Sequence, residues 1–583
     1  MGGPTRLRFV STLAAASVWP TIASAQTVTP QGQPLPSREE VTPPVPTARP
    51  PAATASIDAR GALVQSSCPF EDSPIRLTLR AVTFTRPDGS ALQPPIARAL
   101  AGIGSPVGEQ PIRVICDVRD RANEALRRGG WVASVQVPAQ SIAAGELKLQ
   151  VVTARITEIR VRGTPGPYRR TLEARLGELR RLDPLNERDA ERALLLAGDA
   201  PGLDVQLSLR PAGTQPGDVI GDLSISYRPF ALVANAQNFN SRALGRETVY
   251  ARGEAYGLLG LQDVTYLGAS TTTDFHEQRI VQAGTTFGLG LNGLSFGPRI
   301  VYAWSRPDLG ALNLRTNTLI AGFDAVAPIR RSLDQNLRIG GGFDFIDQKT
   351  RVDTTVGRVP LSTDKLRVVY ARLSGDLTGR RGDGSVFYSF RAGVEVRKGL
   401  GILGASPVGR MSGGVLPSRT DGNSRAGVVR LDADATVALN RIFSISGSAR
   451  GQYTRKPLLN YEEFSLGNLT IGRGYDPGAN SGDRAIGVRG EVAARVPLRS
   501  RLVAPQVFGF YDTVWLTNLD RGSTEVNRHL RSFGGGLRVI VADQLQLEGI
   551  YAHPQDRALL IDKGRSSDRF LLSLTARFDA RQR

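Results

Sequence analysis

The 583-residue chain is poor in the residue types that build metal centres and aromatic stacking platforms. It has two cysteines, two methionines and three histidines, and only 6% of its residues are aromatic. None of His276, His529 and His553 has the cysteine or carboxylate neighbours of a zinc site. The glycine-containing runs 472–474 and 534–536 lack the lysine of a phosphate-binding loop. We therefore expect no metal, no cofactor, no nucleic-acid partner and no enzymatic activity.

The first residues have the order of features that is typical of an export signal. Two arginines precede an apolar stretch, Phe9–Ile22, and a small-residue triplet, Ala23-Ser24-Ala25, follows it. We predict a signal peptide over residues 1–25 and a mature chain that begins at Gln26. A membrane anchor is the alternative, but the stretch is interrupted by Pro20 and is short for a bilayer span. Beyond it we find no uncharged apolar run of about 20 residues, so no transmembrane helix is predicted.

The composition and hydrophobic pattern of the mature sequence change at two places. Residues 26–67 are rich in proline and are typical of an extended linker. Residues 68–155 and 156–228 mix strand-like and helix-like patterns and predict two small α+β modules, here called module 1 and module 2. Within module 2, the segment Asn186–Glu191 supplies a helix cap followed by acidic residues in the first turn. Residues 229–583 lose the helical pattern and become a series of alternating segments.

The two cysteines, Cys68 and Cys116, both precede the alternating region. An exported chain passes through an oxidising compartment, where such a pair can form a disulfide. Two unpaired buried thiols are the alternative.

The alternation after residue 228 predicts a transmembrane antiparallel β-barrel of about sixteen strands. In Arg569–Phe578, a face with Phe570 and Leu572 alternates with a face that carries Ser573 and Thr575. A soluble antiparallel sheet with one wet face is the alternative interpretation. So many strands in an open sheet would leave exposed edges, which closure into a barrel removes.

The chain carries a net charge of +19, and most of the excess falls after residue 228. Five arginines lie on the predicted polar face of the strands: Arg430, Arg450, Arg489, Arg495 and Arg577. We expect a basic, water-filled lumen that favours polar or anionic extended cargo. The alternative is that much of the charge lies on loops and rims that face anionic lipid headgroups.

Four short stretches of the sequence contain recognisable motifs. Their residues are, in order, Pro138, Gln140 and Gly145; Glu191, Arg192, Pro201 and Gly202; Gly472, Arg473, Gly474 and Tyr475; and Phe510 and Asp512. Together they resemble one family, the two-partner secretion transporters that export haemolysin-like and filamentous-haemagglutinin-like proteins. The first stretch resembles the end of that family's first periplasmic POTRA module, and the second resembles a helix and turn of its second module. The third resembles the tip of a long barrel loop that folds back into the lumen, and the fourth a Phe-x-Asp motif on a following strand.

The resemblance implies a lumenal loop around residues 466–486 that is anchored by Asp512. Glycines on both sides of Arg473 permit a narrow backbone that can enter a crowded lumen. An inward-facing Asp512 could then form a bidentate pair with the Arg473 guanidinium. We expect that contact to hold the loop in one conformation, with no bond chemistry involved.

The chain departs from the family pattern in two places. Family members usually begin with a helix that plugs the pore, but residues 26–56 are too rich in proline for a long helix. Family barrels also tend to end at an aromatic residue, whereas Asp579–Arg583 extend beyond Phe578. We expect this tail to weaken recognition by the barrel-insertion machinery.

The resemblance further implies the function of an outer-membrane pore. Such a pore captures one large, unfolded partner protein of the β-helical type in the periplasm and secretes it without ATP. It implies contacts with outer-membrane lipid and lipopolysaccharide, and with the barrel-assembly machinery during biogenesis. A related insertase that assembles other barrels is the alternative, although more modules would then be expected. A barrel enzyme would need Asp, His and Ser together near the outer rim, and no spacing supports one.

Overall fold

The computed structural model of the protein covers most of the chain from residue 35 onward. The described ranges are 35–42, 55–59, 61–63, 67–68, 70, 73–104, 108–142, 144–310, 312–355, 357–500, 502–521 and 523–580. The predicted signal peptide and much of the predicted linker lie outside these residues. Among the helices that fall within them, none combines the length and the apolar character that crossing a membrane requires.

Two short elements precede module 1. Helix α1 (Arg38–Val41) is a single turn, and strand β1 (Ala55–Asp58) has four residues. The turn is closed by the Glu40 carboxylate, which accepts hydrogen bonds from the Ser37 N–H at 2.9 Å and the Ser37 hydroxyl at 2.8 Å. Both elements come from the segment that the proline content predicted to be unpacked.

Module 1 is a small α+β unit. Its elements are β2 (Arg76–Leu79), β3 (Ala81–Thr85), α2 (Pro94–Leu100), β4 (Gly108–Pro111), α3 (Val114–Arg128), β5 (Ala133–Gln136) and β6 (Glu146–Thr153). Strand β6 pairs in parallel with β3 and antiparallel with β5. Because the buried residues of α3 recur every four positions from Val114 to Leu126, one helix face packs on the core that contains Leu147. A disulfide joins Cys68 to Cys116 of α3.

Module 2 has a four-stranded sheet with two helices. Its elements are β7 (Arg155–Arg162), α4 (Arg169–Arg180), α5 (Glu187–Gly198), β8 (Leu203–Pro211) and β9 (Asp218–Tyr227), with a 3₁₀ turn at Gly166–Tyr168. The strand order is β1-β8-β9-β7, so β1 supplies one edge. As the sequence predicted, Asn186 caps α5, and its side chain accepts the Arg188 N–H at 3.0 Å. Tyr168, Leu194 and Leu207 lie in the core between the helices and the sheet.

The rest of the described chain forms a closed antiparallel barrel of sixteen long strands. The strands from β10 to β28, with the two-residue β15, β22 and β23 included, are β10 (Phe230–Gln237), β11 (Thr248–Tyr256), β12 (Val264–Thr272), β13 (Gln278–Leu289), β14 (Leu294–Ser305), β15 (Asp308–Leu309), β16 (Leu312–Arg331), β17 (Gln335–Thr354), β18 (Gly357–Arg380), β19 (Val386–Gly399), β20 (Gly427–Ala438), β21 (Phe443–Thr454), β22 (Phe464–Ser465), β23 (Ser481–Gly482), β24 (Arg484–Arg495), β25 (Val503–Thr517), β26 (Asn527–Val541), β27 (Leu545–Pro554) and β28 (Arg569–Ala580). Strand β28 pairs with β10 from Ser573↔Gln237 to Ala580↔Phe230, which closes the barrel. The predicted sixteen-stranded antiparallel barrel is confirmed.

The last strand shows how alternation separates the two barrel faces. Phe570 and Leu572 point outward and are 71% and 62% exposed, whereas Leu571 and Thr575 are buried in the interior. The residues beyond Phe578 are not a free tail as far as they are described, because Asp579 and Ala580 belong to the strand that closes the barrel.

Candidate functional site

The interior of the barrel is occupied by the loop between β21 and β24, residues 455–483. This lumenal loop contains a 3₁₀ turn at Asn460–Glu462 and a short antiparallel pairing of β22 with β23. Its residues from 458 to 467 and from 471 to 477 are buried. The loop begins earlier than the predicted range of 466–486, and residues 484–486 belong to β24.

The tip of the lumenal loop is anchored on Asp512 by backbone. The Asp512 side chain is fully buried, and its Oδ2 accepts the N–H groups of Gly472 at 3.1 Å and Arg473 at 2.7 Å. Both carboxylate oxygens also bind Arg489, at 2.9 and 3.2 Å, because Arg489 lies directly opposite Asp512 on the neighbouring strand. The Arg473 guanidinium instead donates to Glu491 at 2.8 Å. The prediction that the Arg473 guanidinium pairs with the Asp512 carboxylate is therefore wrong. The guanidinium that binds both oxygens of this carboxylate is that of Arg489.

Two aromatic rings lie against the Arg473 guanidinium that binds Glu491. Its central carbon lies 4.4 Å from the centre of the Phe510 ring and 5.5 Å from that of Phe508. Contacts of this kind stabilise a desolvated cation. Phe510 is thus a partner of the loop, as the motif implied, and Glu491 is the partner that the sequence reasoning missed. Glu491 lies two residues after Arg489 on the same inward face, so the alternation alone could have revealed it.

The rest of the motif, Gly474 and Tyr475, fixes the loop against β26 and the end of β27. The Gly474 N–H donates to the Ser532 hydroxyl at 3.2 Å, and a β-carbon at Gly474 would lie 2.9 Å from the Pro554 nitrogen. Only glycine leaves room for this approach. The hydroxyl of the fully buried Tyr475 donates to the Arg531 carbonyl at 2.8 Å. Gly474 and Tyr475 therefore set the depth of the tip in the lumen.

A second ionic network holds the base of the lumenal loop and was not predicted. Arg397 lies among three carboxylates, 3.0 Å from Asp344, 3.0 Å from Glu462 and 3.1 Å from Glu395. Glu462, in the loop, also binds Arg430 at 2.6 Å. These residues come from β17, β19, β20 and the loop. They come together only when the strands pair and the loop enters the lumen.

The lumenal arginines are largely neutralised by acidic neighbours. Four of the five arginines predicted for the polar face have carboxylate partners within 3.2 Å: Arg430 with Glu462, Arg450 with Asp434, Arg489 with Asp512, and Arg577 with Asp579. The expected basic lumen is therefore a lumen of ion pairs, in which excess positive potential is smaller than the arginine count suggests.

Residues 35–42 also lie in the lumen, next to the loop. Val41 of α1 is fully buried in a cluster with Ile280 and Ile346 of the barrel wall. Three amide side chains hold the backbone of this segment: Gln278 donates to the Glu40 carbonyl at 3.1 Å, Gln348 to the Pro36 carbonyl at 3.4 Å, and Asn460 to the same carbonyl at 3.3 Å. Within these described residues the chain forms the one-turn helix α1, which fills part of the lumen.

The motif of module 2 lies at its junction with the barrel. Glu191 accepts the N–H of Leu333, in the turn between β16 and β17, at 2.7 Å. The Pro201 carbonyl accepts the Tyr168 hydroxyl at 3.0 Å. A β-carbon at Gly202 would lie 2.2 Å from the Arg228 carbonyl oxygen, so this turn requires glycine.

Two more contacts hold module 2 against the barrel. Arg331, from β16, binds the Asp199 carboxylate at 2.7 Å, and the Tyr227 hydroxyl donates to the Tyr256 carbonyl. Arg192 lies half-buried beside Glu191 on α5. The junction therefore combines an ion pair, a buried hydroxyl and a carboxylate that receives a barrel N–H.

The motif of module 1 shapes a turn before its central strand. The Gln140 side chain donates to the Lys148 carbonyl at 2.7 Å and accepts the Lys148 N–H at 2.8 Å, as a neighbouring strand would. The Gly145 carbonyl accepts the Arg80 N–H at 2.7 Å, and the Pro138 carbonyl lies 3.4 Å from the Gln140 amide nitrogen. These residues are structural and lie in module 1, apart from the lumen.

Comparison with known proteins identifies the same combination of modules and barrel. Residues 224–539 match the family model described as haemolysin secretion/activation protein ShlB/FhaC/HecB. The outer membrane transporter CdiB of Dickeya dadantii is 22% identical over 402 residues, 64% of this chain and 65% of that protein. The hemolysin transporter protein ShlB of Serratia marcescens is 24% identical over 334 residues, 56% of this chain and 57% of that protein. The chain thus aligns with less than two thirds of the length of either curated relative.

Two solved structures share the fold. CdiB from Escherichia coli superposes with a TM-score of 0.67 at 16% identity, covering 89% of this chain and 94% of that one. CdiB from Acinetobacter baumannii gives a TM-score of 0.59 at 16% identity, covering 92% and 94% of the two chains. At these identities the likeness concerns the fold alone.

Proposed function

The chain belongs to the ShlB/FhaC/HecB family of haemolysin secretion/activation proteins and resides in the outer membrane, and on that premise we propose that it secretes one large exported partner protein. The partner is captured unfolded by modules 1 and 2 in the periplasm and passes through the lumen to the cell surface or medium. No ATP is used, and folding of the β-helical partner outside the cell gives the direction. In this proposal the chain acts as a pore, with no catalytic step.

The observation that carries this proposal is the content of the barrel lumen. A sixteen-stranded barrel is wide enough for an aqueous channel, and here that space holds the lumenal loop and residues 35–42. Both are held by hydrogen bonds and ion pairs, which water and an extended polypeptide can replace, and by apolar contacts with the barrel wall, at Val41 and at Ile471. A lumen filled by segments that are not part of the barrel wall suits the passage of an unfolded chain, because such segments can be displaced while the wall stays intact.

Capture by strand addition is the mode that the modules support. An extended peptide that joins a sheet edge is recognised through its backbone, so an unfolded partner needs no fixed sequence. Both modules contain such sheets, with the strand order β3-β6-β5 in module 1 and β1-β8-β9-β7 in module 2. We propose that an edge of one of these sheets receives the partner before it enters the lumen.

The outer surface of the barrel is proposed to contact lipid and lipopolysaccharide. Exposed apolar residues alternate along the strands, as in β28, where Phe570 and Phe578 are 71% and 56% exposed. A surface of this kind is stable in a bilayer and prone to aggregation in water. We propose that the barrel-assembly machinery inserts the chain through this closing strand, with Asp579 and Ala580 paired to β10.

Comparing the proteins in the culture medium of cells with and without this chain tests the proposal. We expect one large β-helical protein to disappear from the medium when the chain is absent. Deleting residues 68–228 should abolish its secretion while the barrel still inserts, and the exposed substitution R170A, on α4, should leave secretion unchanged. Undiminished secretion without the modules would contradict capture. Loss of many outer-membrane barrels in place of one secreted protein would indicate the insertase alternative.

A further inference from the structure

One edge of the module 2 sheet is covered by the chain's own N-terminal residues. Strand β1 lies parallel to β8, with Ser56 opposite Gln206 and Ile57 opposite Leu207. Ile57 is half-buried against the module core, while Ser56 and its partner Gln206 are exposed. The contact combines this backbone pairing with the packing of Ile57 and Ala59 on the module core, and the chain continues into Ala62, which is fully buried in that core.

Strand β8 offers more edge than β1 uses. It has nine residues, from Leu203 to Pro211, and β1 pairs with only four of them, Val205 to Ser208. Parallel pairing is also slightly less stable per residue than antiparallel pairing. An extended segment longer than β1, which also displaced Gly61 from its position beside the Leu209 carbonyl, could pair along more of β8 and would form more backbone hydrogen bonds than β1 does.

The two edges of this sheet differ in their suitability for strand addition. The opposite edge strand, β7, carries side chains held in ion pairs, Arg155 with Asp218 at 2.7 Å and Arg160 with Glu158 at 2.9 Å. Charged edge strands resist the addition of another strand. On β8 the charged residues Asp204 and Arg210, which pair with Arg228 and Asp222, lie outside the stretch 205–209. Within that stretch the inward residues Val205, Leu207 and Leu209 are apolar and buried. An incoming strand would gain the apolar contact that Ile57 now makes.

We propose that the β8 edge is a docking site for an extended segment of the secreted partner, and that residues Ala55–Asp58 occupy it until the partner displaces them. The segment that fits has a small or β-branched apolar residue at alternate positions and polar residues between them, as β1 has. The proposal rests on the proposed function, because it identifies where module 2 receives its partner. Strand β1 then acts as an internal competitor that keeps the edge covered while no partner is present.

A binding experiment tests whether the edge accepts a strand. The probe is a fluorescein-labelled peptide with the chain's own sequence from residue 53 to residue 60, ATASIDAR, and the protein is the full chain in detergent. In the variant I57P, β1 loses a backbone donor and its apolar contact, so the edge is freed. We expect the peptide to bind I57P at least about tenfold more tightly than the wild type, and a peptide with the same I57P change not to bind. Equal binding to both proteins, or binding to neither, would overturn the proposal.

A covalent lock tests whether the partner uses the edge. Ser56 and Gln206 are opposite one another on adjacent strands, whose spacing of about 4.8 Å permits a disulfide. In S56C/Q206C we expect secretion to fall at least about tenfold, with S56C alone and Q206C alone as matched controls that secrete normally. Heat-modifiable gel mobility confirms that each barrel is folded. Normal secretion by the locked variant overturns this inference and leaves the proposed function intact, whereas absence of secretion by the wild type refutes the proposed function itself.

Discussion

Replacing Asp512 with alanine is expected to release the lumenal loop more completely than replacing Arg473. The Asp512 carboxylate is fully buried and serves two loop N–H groups and the Arg489 guanidinium. Its removal leaves the largely buried Arg489 without its carboxylate partner, and breaking such a pair destabilises a structure by about 3–5 kcal/mol. Removal of the Arg473 side chain eliminates one charged hydrogen bond, of about 1.5–3 kcal/mol, and the contacts with the Phe508 and Phe510 rings. It also removes a buried guanidinium nitrogen that has no hydrogen-bond partner, which offsets part of this loss. Glu491 would still have Arg538 at 3.6 Å.

Hydrogen exchange on the full chain in detergent measures this difference at residues 464–482. We expect protection to fall at least about 100-fold in D512A, since each 1.4 kcal/mol is a factor of ten, and less in R473A. D512N should be intermediate, because the amide oxygen can still accept a loop N–H while the charge opposite Arg489 is lost. In every variant the barrel should stay folded, as judged by heat-modifiable gel mobility.

Secretion should follow the same order, with D512A impaired more than R473A and both below the wild type. If R473A loosened the loop as much as D512A, the guanidinium would be the principal anchor and the assignment to backbone contacts would be refuted. Wild-type secretion by both variants would remove the proposed role of the loop tip.

Three further predictions concern the periplasmic modules. In E191A the partly buried N–H of Leu333 loses its acceptor. The free energy of opening of the turn between β16 and β17 should therefore fall by about 1–3 kcal/mol and its exchange should become faster, while the barrel remains folded. The hydrogen bond from Arg155 lowers the pKa of Asp218, so the contribution of this pair to the stability of module 2 is complete above the ordinary carboxylate pKa and is lost as pH falls through the lowered value. Exchange of β7–β9 measured from pH 7 down to pH 3 should show this loss. The loss should be smaller in D218N, in which only the other paired carboxylates of these strands, Glu158 and Asp222, still titrate with lowered pKa values. C116S should destabilise module 1 by about 4 kcal/mol on the chain-entropy model, as measured by urea-dependent exchange of α3, with barrel strands unaffected.

The barrel could be predicted from the sequence because each strand carries its own period-two signal. The faces of β28 illustrate this, since exposure of Phe570 and burial of Leu571 depend only on alternation within one segment. The cap of α5 at Asn186 was equally local and was confirmed. Features that depend on a few neighbouring residues were therefore accessible without a structure.

The contacts of the lumen could not be predicted in the same way, because they depend on strand register. The pairing of Arg489 with Asp512 follows from their being opposite on β24 and β25, which no motif specifies. The Arg397–Glu462 contact joins residues 65 positions apart. The motif correctly brought Arg473 to the region of Asp512, but it could not distinguish backbone from side-chain contacts.

The proline-rich segment, residues 26–67, shows a second reason why prediction from the sequence fails. Its composition predicted an unpacked linker, yet Val41 is buried in the lumen and Ile57 packs on module 2. Both elements are only four residues long, too short for any intrinsic signal. They are ordered by the surfaces that receive them, so tertiary contacts override local preference here.

The disulfide between Cys68 and Cys116 determines how β1 would behave after it leaves β8. Asp58, the last residue of β1, is only ten positions before Cys68, which is covalently fixed to α3. Because the tether is this short, the effective concentration of β1 at the β8 edge is in the millimolar range. Strand β1 would then rebind β8 without an encounter by free diffusion. The β8 edge would be covered again after each molecule of the partner has been secreted.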